Sequence, residues 1–160
     1  MRKVEGNADV RLLECVSPAR NKWRIRWDVQ VHDDNQASFM EAEFNHRPSD
    51  EEIRSTVLSW FNSQTEAEIL SGFIWNSFQV WLSTENQFNY KAAYDLAVQT
   101  SGATLPVTFK FGTDAEPVYH AFSSLNELTS FYTAAMQHIQ SALSNGWKRK
   151  DAFDLADYQV

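Results

Sequence analysis

The side chains in this sequence with chemistry to offer are four histidines, one cysteine and a few paired carboxylates. His32 stands beside Asp33 and Asp34, a grouping that suits a hard cation. No EF-hand spacing or calcium-loop glycine follows, so HDDN at 32–35 reads as a solvated turn. His46 falls in a polar loop and His138 on the polar flank of the last helix. His120 differs, because alternation sets it on an apolar face with Phe109, Phe111, Val118 and Phe122. Two roles fit that position: a neutral core histidine bonded to backbone, or a general base. A base needs a reacting partner, and none is recognisable. No serine or cysteine sits in a nucleophile elbow, there is no GxGxxG or Walker loop, and the five glycines are scattered. The carboxylate pairs Glu41/Glu43 and Glu51/Glu52 have structural uses. The residues therefore assign no catalytic, cofactor or metal site, and a non-enzymatic protein is expected.

Cys15 is the only cysteine, which excludes an internal disulfide and a thiolate zinc cluster. Between Leu12, Leu13 and Val16 it is expected to be a small buried hydrophobe. The formal net charge of −7 argues against nucleic acid and against an anionic membrane as partners. The basic, aromatic KWRIRW at 22–27 is the one stretch suited to single strands, but its tryptophans face away from its arginines. WKRK at 147–150 reads as charge complementing a helix end. No run of roughly 18 apolar residues is present to span a membrane. MRKVEGNADV has no apolar run after its basic pair, so no secretory signal is expected and synthesis in a cytoplasm is. A modest homo-oligomer is compatible with all of this.

The 160 residues fit one domain or two very small ones. Residues 22–31 alternate, with Trp23, Ile25, Trp27, Val29 and Val31 on one face and Lys22, Arg24, Arg26, Asp28 and Gln30 on the other. The return strand SFMEAEF carries Met40, Ala42 and Phe44 on its apolar side. A four-residue loop would pair Val31 with Gln36, Trp27 with Met40, Ile25 with Ala42 and Trp23 with Phe44. The same register sets Arg26 against Glu41 and Arg24 against Glu43. Ser49-Asp50-Glu51-Glu52 is a capping box opening a helix to about Ile69–Leu70, ended at Ser71-Gly72. Thr84-Glu85-Asn86-Gln87 reads as a second box, opening a helix to about Thr100. A hairpin follows over 106–111 and 117–122. Ser124-Leu125-Asn126-Glu127 opens the strongest helix, for which Asn145-Gly146 is the expected stop. With an extra strand near residues 9–16, the pattern is a β-hairpin–helix unit three times over. It predicts an α+β fold of antiparallel hairpins with helices packed on sheet. The expected division is residues 1–71 and 72–160, with no linker composition marking it.

GFIWNSFQVWLS at 72–83 reads as a hairpin turning at Asn76-Ser77. Phe73, Trp75, Phe78, Val80 and Leu82 share a face suited to the core. Ile74, Gln79 and Trp81 share the other, which carries two large apolar residues. Burial by the N-terminal half is the expectation for that second face. Exposure of Trp81 beyond about a third would instead mark it as the first candidate for partner contact.

From Gly72 to Asp151 the chain resembles a phage-associated domain of unknown function, family 4376. The residues that carry the likeness are GFIWNSFQVWLSTENQFNYKAAYDLAVQ, then LPVTFKFG, then YHAFSSLNELTSFYTAAMQHIQ and GWKRKDA. The resemblance implies a bacteriophage or prophage protein in or beside tail-fibre and tail-assembly proteins. It would be made in the cytoplasm of a bacterial host and incorporated in, or associated with, the virion. The function it implies is a structural or assembly module working through protein–protein contacts, with phage tail or fibre proteins as partners. The alternative is a receptor- or glycan-binding module using exposed aromatics. The family brings no catalytic residues to carry over. Relatives commonly have Asn-Gly at the tip of the 72–83 hairpin, where Ser77 costs about 1 kcal/mol in a type I′ turn and allows a wider loop.

Overall fold

A computed structural model describes residues 1–32 and 35–159. The expected HDDN turn, and with it the grouping of His32 with Asp33 and Asp34, lies partly outside the described residues. The fold is α+β, with antiparallel sheets and three helices. The chain forms two compact units: Met1–Trp60 together with Lys150–Val160, and Phe61–Arg149. The division along the chain falls after Trp60 and before Lys150.

The first unit holds a four-stranded sheet in the order β1-β4-β3-β2, built from β1 (Arg2–Asn7), β2 (Leu13–Ser17), β3 (Lys22–Val31) and β4 (Gln36–Phe44). Sequence periodicity does not reveal β1, because RKVEGN is an edge strand with one apolar side chain, Val4. The strand expected near 9–16 is β2, which starts later. Trp23–Phe44, Arg24–Glu43, Ile25–Ala42, Arg26–Glu41 and Trp27–Met40 pair as the alternation requires. Beyond Trp27 the register shifts, and Val31 meets Ala37 instead of the expected Gln36. Asp28 at φ 52° makes the bulge, and the extra residue puts Val31 on the face opposite Trp27. Val31 is exposed. Cys15 is only half-buried, short of the burial expected, because β2 is an edge strand.

Both faces of this sheet bury side chains. On one, Ile25, Leu13 and Trp27 are buried, and Trp60 meets Trp27 edge-on at 6.2 Å. The Tyr158 hydroxyl donates to the Arg26 carbonyl at 2.7 Å, tying the C-terminal 3-10 turn Leu155–Tyr158 to the sheet. Burial drives the Tyr158 phenol well above its ordinary range. On the other face, Glu41 is 2% exposed. Arg2 donates to Glu41 Oε1 through Nε at 2.9 Å and Nη2 at 2.6 Å. Arg24 Nε and Arg26 Nε lie 3.2 and 3.5 Å from Glu41 Oε2, charge contacts rather than aligned hydrogen bonds. Arg26 is held by Glu14 at 2.7 Å and stacks over Phe39.

α1 (Asp50–Ser71) opens on a reciprocal capping box. The Ser49 amide donates to Glu52 at 2.8 Å, and the Glu52 amide donates to Ser49 Oγ at 3.3 Å. The bonds from Ser49, with His46 alongside, hold the Glu52 carboxyl below its ordinary value.

The second unit contains the hairpins β5 (Phe73–Trp75)–β6 (Phe78–Val80) and β7 (Val107–Gly112)–β8 (Pro117–Phe122), with α2 (Thr84–Gln99) and most of α3 (Leu125–Asp151). The cap of α2 is Ser83, one residue before the expected Thr84, its hydroxyl accepting from the Asn86 amide. Ser124 caps α3 as expected. Phe131 occupies the centre of the core, with ring centroids of Phe73, Trp75, Tyr90, Phe109, Phe111 and Phe122 all within 6.1 Å.

Asn145-Gly146 does not stop α3, which runs on to Asp151. Gly146 is buried, and a Cβ there would collide with Thr65 Oγ1 on α1. The glycine thus marks close helix approach, where the sequence suggested a terminus. Alanine in place of an ordinary helical glycine raises stability by about 1 kcal/mol. Here Gly146→Ala is expected to lower it by about 1–3 kcal/mol, the cost of overpacking. Thr65→Ala added to it should recover most of the loss, as urea unfolding of the single and double variants would show.

Candidate functional site

β5 and β6 place Phe73, Ile74 and Trp75 opposite Val80, Gln79 and Phe78. The turn is two residues long, Asn76 at φ 47° and Ser77 at φ 70°, so Ser77 adopts the left-handed conformation and the wider loop does not form. Phe73, Val80 and Leu82 are buried and Trp75 is half-buried. Phe78, expected in the core, is 38% exposed. It sits beside the turn at the end of a three-residue strand, where there is too little hairpin to cover it.

The other face is open. Ile74 is 57% exposed and Trp81 47%, so this face does not have the burial expected of it, and Trp81 passes the one-third exposure that marks it as a candidate contact. Gln79 is half-buried, its amide donating to the Ser71 carbonyl at 2.8 Å. Trp81 lies between buried Val80 and Leu82, and the Leu82 amide bonds the Leu70 carbonyl at 3.0 Å. The Asn86 amide donates to the Trp81 carbonyl at 2.8 Å. The backbone that carries the indole is thus anchored on both sides, while the ring is half exposed.

Trp81 and Gln79 line a groove of about 340 Å³ with Asn86 from the start of α2. The opposite wall is the β7–β8 tip, where Lys110 Nζ donates to Asp114 at 2.8 Å. That bond raises the Lys110 pKa and lowers that of Asp114. Buried Phe111 is at the base. At Gly112, φ is 78° and a Cβ would strike the Glu116 carbonyl, so the bend that presents Lys110 and Asp114 requires glycine. Ile74, the cross-strand partner of Gln79, does not line the groove. Sequence reading missed Asn86, Lys110 and Asp114, which come from segments up to about thirty residues away. Their signal was the i, i+4 charge pair around a tip glycine.

His120 packs as alternation predicts, stacked near Phe111 and edge-on to Phe122 at 4.5 Å. Its partner is a side chain, not backbone: Nε2 lies 2.7 Å from Glu127 Oε1. Ser124, the hydroxyl three residues before Glu127, is engaged as the α3 cap. His138 meets the Glu68 carbonyl at 2.9 Å, and His46 meets Glu52 at 2.8 Å. Among the described residues no group of three or more His, Cys, Asp or Glu could hold a metal, and no helix is long and apolar enough to cross a membrane.

A second cavity of about 250 Å³ lies in the first unit, with Cys15 and Glu14 beside Trp23 and Arg47, whose guanidinium covers the indole at 5.3 Å.

Compared with family models, residues 52–160 match a domain of unknown function, DUF4376. The match starts at the first turn of α1, upstream of the Gly72 start that the quoted residues suggested. No curated protein and no solved structure matches the chain.

Proposed function

Since this chain belongs to the DUF4376 family, we propose that it is a non-enzymatic module of a bacteriophage or prophage, tail-associated and working in structure or assembly through protein–protein contacts. The observation that carries the reading is the open face of the first hairpin. Ile74 and Trp81 are exposed on that face, on a backbone anchored by a two-residue turn and by buried neighbours. Contact anchored on such side chains loses little conformational entropy on binding. The phage setting rests on the resemblance of residues 72–151 to relatives found beside tail genes. Partners on this reading are tail or fibre proteins, and the site of action is the host cytoplasm during assembly or the virion.

Mass spectrometry of particles and of tail intermediates purified from the native host tests it. The chain should be recovered with them. Ile74→Asp should leave the fold intact and reduce recovery by at least about tenfold, corresponding to roughly 1.4 kcal/mol or more of binding energy. Absence of the unaltered chain from particles and from every tail complex would overturn the reading.

A further inference from the structure

The groove beside Trp81 has a chemistry of its own, separate from the assembly role of the Ile74 side. Its apolar lining is the half-exposed Trp81, with Phe111 buried beneath at 1% exposure, and it has no Leu, Ile, Val or Met. Its polar lining is made of paired or anchored groups. One N–H of each of the Gln79 and Asn86 amides is given to a backbone carbonyl at 2.8 Å, which orients the amide and leaves its oxygen and second N–H for a ligand. The only ionised side chains are Lys110 and Asp114, which neutralise one another at 2.8 Å. An aliphatic anchor from a protein would desolvate these polar groups without satisfying them. An anion or cation would have to displace one member of the ion pair. A pyranose ring meets neither objection: its C–H face can lie on the indole, while its hydroxyls donate to amide oxygens and to the carboxylate. The volume, about 340 Å³, is at the lower end of small-ligand sites and suits one or two rings.

We infer that this groove is a binding site for a neutral hexopyranose, with Trp81 as stacking platform and Gln79, Asn86 and Asp114 as hydroxyl acceptors. The Trp81 backbone is anchored between buried Val80 and Leu82, so binding has only the two side-chain torsions of the indole to order. The site shares Trp81 with the face proposed for protein contact, and Ile74→Asp, which lies outside the groove, separates the two readings.

Saturation-transfer and ¹⁵N-chemical-shift NMR on the full chain provide the test. The probes are methyl glycosides of glucose, galactose, mannose and N-acetylglucosamine, their oligosaccharides, and sialic acid as an anionic control. At least one neutral ring, free or terminal on an oligosaccharide, should shift the amides of Trp81, Asn86 and Lys110. Trp81→Ala should weaken that binding about tenfold or more, Trp81→Phe less, and Ile74→Asp not at all. Asp114→Asn is a second variant at a fully exposed position that leaves the fold unaffected, and it too should weaken binding. The inference is overturned if no neutral ring binds the folded chain, if sialic acid is preferred, if Trp81→Ala binds as well as the unaltered protein, or if only a peptide shifts these amides.

Discussion

Phe131→Ala is expected to lower the stability of the second unit by about 3–5 kcal/mol, the range for emptying a well-packed aromatic site. The magnitude follows from geometry. Six aromatic rings lie within 6.1 Å of the Phe131 ring, contributed by β5, α2, β7 and β8. A cavity bounded by rings from so many elements cannot close by moving one of them, so the transfer and cavity costs add. Phe88, on α2 and 69% exposed, supplies the control: Phe88→Ala should stay within about 0.5 kcal/mol. Urea unfolding with near-ultraviolet circular dichroism checks both. A Phe131→Ala loss below about 1.5 kcal/mol would mean that the core closes around the gap, contrary to this packing.

The second large effect is at Glu41. Glu41→Ala is expected to cost about 3–5 kcal/mol, because it strands guanidinium groups around a 2% exposed position. Arg24 keeps Glu43 and Arg26 keeps Glu14, both through Nη2, but their buried Nε groups lose the one carboxylate they share. Arg2 reaches the same carboxylate at 2.6 Å, but its side chain is 65% exposed, so Arg2→Ala should cost no more than about 1 kcal/mol. Glu41→Leu combined with Arg24→Met and Arg26→Met should recover much of what Glu41→Ala loses, since the penalty lies in unpaired charge rather than in missing attraction. Equal losses for Glu41→Ala and Arg2→Ala in thermal unfolding would contradict the account.

The cluster around Glu41 also shows what the sequence could and could not disclose. The pairs Arg26–Glu41 and Arg24–Glu43 were legible, because period-two alternation on both strands admits only one register. Burial of Glu41 was not legible. It depends on Arg2, brought in by an edge strand whose charged residues give no periodic signal. Likewise, capping boxes located the three helix starts to within a residue, since the bonds involved are local. Gly146 misled because a stop and a close approach call for the same residue, and only the position of Thr65 distinguishes them. The bulge at Asp28 adds a residue to one strand alone, which alternation cannot register.

At the candidate site, alternation correctly placed Ile74 and Gln79 opposite one another and Trp81 away from Val80 and Leu82. It could not say whether that face was covered, because coverage is a property of distant segments. For the same reason the far wall of the groove, Lys110 and Asp114, was out of reach. Phe78 was misplaced because alternation gives the direction of a side chain but not the length of sheet available to bury it.

On the function proposed above, the exposed side of the β5–β6 hairpin is where the chain meets its protein partner. A photo-crosslinking amino acid at position 74, activated in the native host during particle assembly, tests it most directly, with position 119 as control. Tyr119 is 69% exposed on the second hairpin and is a matched surface site outside the claimed contact. The account predicts one discrete crosslinked product from position 74, identified by mass spectrometry as a tail or fibre protein, and none from position 119. No product from position 74, or the same products from both positions, would contradict it.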